Sequence, residues 1–136
     1  MAVSWRAAAL FFGALLAVAC GDFGSSMPGA PVKADMNDPG LKSALQLAVA
    51  EHNKRSGGEF YSKVSRVIQA QKQVVAGLMY IFEVEMVHTG CKKDDVKAVC
   101  DVHQDPQLAK PYVCVFHVWS RPWLNLVQMQ KHECRN

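Results

Sequence analysis

Five cysteines and five histidines are the residues of this 136-residue chain whose side chains could do covalent or metal chemistry. A thiol nucleophile needs a base beside it, and Cys114 with His117 is the nearest such pairing, with His52, His88, His103 and His132 elsewhere. Residues three apart on a strand point to opposite faces, which argues against that dyad. Zinc is the other chemistry in view, since Cys100 and His103 have ligand-like spacing and His132 lies two residues before Cys134. Neither supplies the paired Cys-x-x-Cys or His-x-x-x-His ligands of a structural zinc site. The expectation is a protein with no catalytic group, no metal and no cofactor.

What the thiols do instead depends on their compartment. Arg6 supplies a positive start, Ala7 to Ala19 is almost wholly apolar, and Ala17-Val18-Ala19 closes the run with small residues. That is the pattern of a secretory signal cleaved near Cys20. The run is shorter than the roughly 20 residues that span a bilayer, so residues 1–20 are expected to leave and the mature protein to be secreted. An anchor or a lipid-modified Cys20 is the alternative.

Cleavage after Cys20 leaves Cys91, Cys100, Cys114 and Cys134, an even set in an oxidising compartment. Cleavage before it leaves a fifth thiol on the leader. Four cysteines allow three pairings, and the nearest-neighbour one, Cys91–Cys100 with Cys114–Cys134, is simplest because each bridge closes a short loop. Each bridge is expected to stabilise the fold by about 2–4 kcal/mol. The formal charge of +3 falls to +2 once Arg6 is removed, and the basic residues are scattered. No clustered basic stripe points to nucleic acid.

Three further features concern surface chemistry. Gln73-Val74-Val75-Ala76-Gly77 falls where a tight hairpin belongs, and it would place two valines at a turn that normally carries polar residues. Pro122-Trp123 falls at a second turn, where proline stiffens the backbone and tryptophan is the side chain most enriched at interface hot spots. Gly29 lies in a leader and would let an extended segment approach another backbone closely. Gly77 and Trp123, as tip residues, are expected to tolerate substitution with little loss of fold.

The elements that must position these residues are legible in outline. Residues 21–33, rich in Gly, Ser and Pro, read as a flexible leader that does not pack. The ordered domain is expected over 34–136. Asp38-Pro39 is a helix start, Leu41, Ala44, Leu45, Leu47 and Ala48 make an apolar stripe, and Ser56-Gly57-Gly58 is the stop. Leu78 to His88 alternates with period two, placing Leu78, Tyr80, Phe82, Val84 and Met86 on one face. Tyr112 to Ser120 is a second strand, apolar on both faces. Leu124 to Gln130 and Tyr61 to Gln73 are weaker candidates, and Lys92 to Lys110 reads as a surface loop. The fold class is α+β, one amphipathic helix across a curved antiparallel sheet of four or five strands.

With these elements in order, the chain resembles the type 2 cystatins from about Gly29 to Cys134. The matching residues are Gly29, the helix segment Gly40 to Asn53, Gln73-Val74-Val75-Ala76-Gly77, Tyr80, Glu83 to Glu85, the four late cysteines and Pro122-Trp123. The resemblance implies a cystatin-like five-stranded sheet wrapped around one helix, with the two nearest-neighbour disulfides. It also implies reversible inhibition of papain-like cysteine proteases such as cathepsins L, S, H and B. The wedge would comprise Gly29, Gln73, Val74, Val75, Ala76, Gly77, Pro122 and Trp123. Departures qualify the match: Pro28 and Ala30 flank Gly29 where many members carry an aliphatic residue and a second glycine. Ser56-Gly57-Gly58 lacks the Asn through which some members inhibit legumain, so no legumain inhibition is expected. Some members dimerise through additional cysteines, and apart from Cys20 none is present, so a monomer is expected. The competing reading is a non-inhibitory secreted protein of the same fold, a host-defence precursor or a carrier. No basic amphipathic tail follows Cys134 to support the precursor.

Overall fold

The computed structural model describes residues 29–97 and 99–136, so the signal segment, Cys20 and Pro28 lie outside the described residues. Five strands and one long helix follow the order β1 (Val32–Lys33), α1 (Pro39–Arg55), β2 (Phe60–Val75), β3 (Gly77–Lys92), α2 (Pro106–Ala109), β4 (Tyr112–Arg121) and β5 (Leu126–Arg135). The strands form one antiparallel sheet in sequence order, β1 to β5.

Helix α1 starts where local chemistry favours it. The Asp38 carboxylate accepts the Gly40 N–H at 2.8 Å, and Pro39 takes the first helical position, where its missing N–H costs nothing. The helix ends at Ser56, whose extended backbone donates its N–H to the His52 carbonyl at 2.9 Å. Leu41, Ala44 and Ala48 are fully buried on one stripe, with Leu45 and Leu47 partly buried beside it. Two alanines in that stripe let the helix axis approach the sheet closely. Against them pack Tyr80, Phe82, Val84 and Met86 of β3 and Cys114, Phe116 and Val118 of β4. Truncating either buried phenylalanine to alanine is expected to cost about 3–5 kcal/mol.

Both bridges adopt the nearest-neighbour pairing, Cys91–Cys100 and Cys114–Cys134. Cys114 and Cys134 stand directly opposite on β4 and β5, so the second bridge fastens the last strand to the sheet. That explains why β5 runs on to Arg135 instead of ending near Gln130.

Elsewhere the structure departs from the sequence expectations for physical reasons. Val32–Lys33, expected in a non-packing leader, forms β1 against Lys72 and Gln71, and Ala34 N–H donates to the Ala70 carbonyl at 3.0 Å. Both β1 side chains are exposed, so the strand is held by backbone hydrogen bonds to the β2 edge and leaves no apolar signature. The imperfect alternation of β2 comes from register shifts between Phe60 and Ser62, Val64 and Arg66, and Val67 and Gln69. The segment from Lys92 to Lys110 is not wholly irregular. Asp105 accepts the Gln107 N–H to start α2, and Thr89 forms an isolated bridge with Val102.

One buried polar chain threads the whole packing. His52, only 3% exposed, continues the α1 stripe, with Nδ1 2.8 Å from His132 Nε2 and Nε2 2.7 Å from the Tyr112 hydroxyl. Tyr112 donates to Ser62 Oγ at 2.8 Å, and Ser62 Oγ lies 2.9 Å from His88 Nδ1. Burial, then the nearby His132, Lys93 and His88, pushes the His52 pKa down to about 4. Burial also lowers His132 and His88. A histidine depressed in the folded state takes up protons on unfolding, so its stability contribution is complete above the unfolded value of about 6.5. That contribution drains away as pH falls toward 4. Urea midpoints are therefore expected to be level between pH 7 and 8 and to fall stepwise at pH 6, 5 and 4.5. Midpoints unchanged down to pH 4.5 would contradict the buried neutral His52.

Candidate functional site

An antiparallel sheet in sequence order brings the start of β1, the β2–β3 turn and the β4–β5 turn to the same end. The opposite end carries the helix exit at Ser56 and the Lys92 to Lys110 segment. Geometry alone thus gathers Gly29, Gln73 to Gly77 and Pro122-Trp123 along one rim.

The first turn is as short as a hairpin allows. Val75 pairs with Gly77, leaving Ala76 alone at the apex. Gly77 has φ +96°, a conformation that side chains disfavour, and a Cβ there would overlap the backbone oxygen of Ser120 on β4. The expectation that Gly77 tolerates substitution is therefore overturned: the residue is a packing point between the two hairpins. Val74 is 61% exposed and Ala76 is also exposed, whereas Val75 and Gln73 are half-buried.

The second turn is a 3-10 turn over Pro122–Leu124, closed by Asn125 at φ 52°, whose N–H donates to the Pro122 carbonyl at 2.9 Å. Asparagine is among the few non-glycine residues that adopt this conformation readily. Trp123 is 62% exposed and Leu124 55%. Leu124, expected at the head of a strand, instead lies in this turn as a second exposed apolar side chain beside Trp123.

Gly29 also lies on this rim. Its φ is +94°, the Gln73 side-chain amide donates to its carbonyl oxygen, and a Cβ there would stand 3.3 Å from the Val74 carbonyl oxygen. The leader end is thereby held beside the first turn. The two turns are joined as well, since the Trp119 indole N–H donates to the Ala76 carbonyl at 2.7 Å. Among residues 73–77 and 120–124 only Arg121 carries a charge. The rim is a largely apolar edge on which Val74, Ala76, Pro122, Trp123 and Leu124 are exposed.

Among the described residues the cysteine sulfurs are all bonded in disulfides. Cys114 Sγ, read as a possible nucleophile, is fully buried and bonded to Cys134. Cys134 Sγ lies 3.8 Å from His52 Nδ1 and 3.9 Å from His132 Nε2, but a disulfide sulfur is not a thiolate ligand. Cys100 is likewise bonded, to Cys91.

The Cystatin domain family model matches residues 29–123. The chain belongs to the type 2 cystatin family. A cystatin of Oncorhynchus keta is 50% identical over 122 residues, covering 90% of this chain and 94% of that one. Cystatin-C of Mus musculus is 39% identical over 131 residues, covering 93% and 94%. The crystal structure of dimeric human cystatin F superposes with a TM-score of 0.70 at 33% identity, covering 86% of this chain and 96% of that one. As a cystatin the protein is a protease inhibitor and not an enzyme, and its partners are cysteine proteases.

Proposed function

We propose that this cystatin is a secreted, monomeric, reversible tight-binding inhibitor of papain-like cysteine proteases, cathepsins L, S, H and B among them. The wedge consists of Gly29, Gln73 to Gly77 and Pro122-Trp123. The observation that carries the reading is their lying on one sheet end, with Val74, Ala76, Pro122 and Trp123 exposed along it and the turns bonded to each other through Trp119 and Ala76.

The inhibition needs no catalytic group. A papain-like enzyme cleaves only when a carbonyl carbon sits within about 3–3.5 Å of its cysteine thiolate in the right orientation. A wedge fills the groove without offering that carbonyl. Val74 and Ala76 would bury apolar area on one side of the catalytic pair, Trp123 and Leu124 on the other. The segment before Gly29 would reach the non-primed pockets. Because the turns are ordered before binding, little entropy is lost on association. The glycine turn at Ser56-Gly57-Gly58 offers no asparagine, so legumain is not a target of this reading.

Titrating papain with the mature protein is expected to abolish peptidase activity linearly to one equivalent, with the inhibitor recovered uncleaved. Undiminished activity at a tenfold excess, or steady consumption of the protein as a substrate, would overturn the proposal.

A further inference from the structure

The side chains that join the two turns belong to neither apex. Trp119, on β4, is half-buried on the face of the sheet away from the Phe82–Phe116 core, and its indole N–H holds the apical carbonyl of Ala76. The Arg121 guanidinium lies 3.8 Å over the Trp119 ring, and its Nη2 donates to Gln128 Oε1 on β5. The Arg121 stem passes close to Gly77, where a Cβ would stand 3.3 Å from its Cγ. A continuous path therefore runs from Gln128 through Arg121 and Trp119 to Ala76, crossing from one turn to the other.

Such a path has a consequence for binding. A one-residue apex has few contacts of its own, and a groove filled from two sides needs both tips at fixed separation. Displacement by about 1 Å can cost orders of magnitude in fit. We propose that Trp119 is a positioning residue that locks the two tips into one rigid edge, with Arg121 and Gln128 holding its ring in place. This rests on the protease-binding reading of the same edge. Cation–π packing of arginine on tryptophan keeps the indole plane aligned for its hydrogen bond.

Trp119→Phe keeps a ring under Arg121 and removes only the donor end, and the core contacts are untouched. Two measurements on the variant separate positioning from bulk stability. In complex with papain, the dissociation rate is expected to rise about two- to tenfold, at most the worth of one neutral hydrogen bond, with the association rate near wild type and the thermal midpoint lowered by several degrees, because the same bond is present in the free fold. In the free protein, amide exchange at Gly77, which pairs with Val75 across the apex, is expected to quicken by more than exchange in α1, which follows only the global stability. An unaltered dissociation rate, in a protein whose Trp123→Ala variant does bind more weakly, would overturn the lock and leave the wedge standing. Exchange at Gly77 quickened no more than in α1 would overturn it as well. A larger quickening at Gly77, in a protein that failed to inhibit papain, would support the lock and count against the wedge.

Discussion

Truncating Trp123 to alanine is expected to raise the inhibition constant against papain about 30- to 1,000-fold while leaving stability within about 0.5 kcal/mol of wild type. The two halves of that expectation have separate causes. Trp123 is 62% exposed on a 3-10 turn and touches none of the core cluster, so its loss removes little that folding buried. Surface substitutions away from special features stay within about 0.5 kcal/mol. At a binding edge the same ring would be desolvated, and hot-spot truncations cost about 2–4 kcal/mol, which is the stated range of affinity. Inhibition assays and urea melts on one preparation check both halves. An unchanged inhibition constant would remove the second turn from the wedge.

Gly77→Ala is expected to damage both properties. Alanine in a left-handed conformation costs about 1–2 kcal/mol, and crowding a packed contact adds about 1–3 kcal/mol. The crowded atom here is the Ser120 backbone oxygen, which cannot rotate away as a side chain could. A destabilisation of about 2–3.5 kcal/mol is the span from the summed lower to the summed middle estimates. The first turn must also shift away from the second, so inhibition should weaken more than tenfold. Gly57→Ala is the internal control: nothing lies within 4 Å of a Cβ there, and the glycine has no positive φ. It should melt like wild type. Equal melting of the Gly77 and Gly57 variants would contradict the packing between hairpins.

Much of this architecture is legible in residue order, and each exception has its own physical cause. The β3 face alternates because one side of a regular strand meets the core, and Tyr80, Phe82, Val84 and Met86 are buried as that rule requires. The helix is bounded by cap chemistry that needs no tertiary contact. β1 escapes notice because its hydrogen bonds are backbone only, and β2 blurs because its register shifts break the period. α2 leaves no apolar stripe although Asp105-Pro106 repeats the Asp38-Pro39 signal, its one turn being too short for one.

At the proposed binding edge, Val74 and Trp123 stand out since apolar residues at turns are anomalous. Trp119 does not stand out, because a tryptophan in an alternating strand has an ordinary explanation. Its bond to Ala76 depends on the β3–β4 register, which sets Leu78 opposite Ser120 and brings the turns side by side. The Gly77 constraint is hidden for the same reason, as it comes from a strand more than forty residues away.

Mapping amide hydrogen exchange on the mature protein with and without papain tests the central claim most directly. Slowed exchange confined to residues 29–34, 73–78 and 120–126 is the predicted result, with the Ser56 to Phe60 end of the molecule unaffected. Protection at Ser56 to Phe60 or over α1, with Ala76 and Trp123 exchanging as in the free protein, would contradict it.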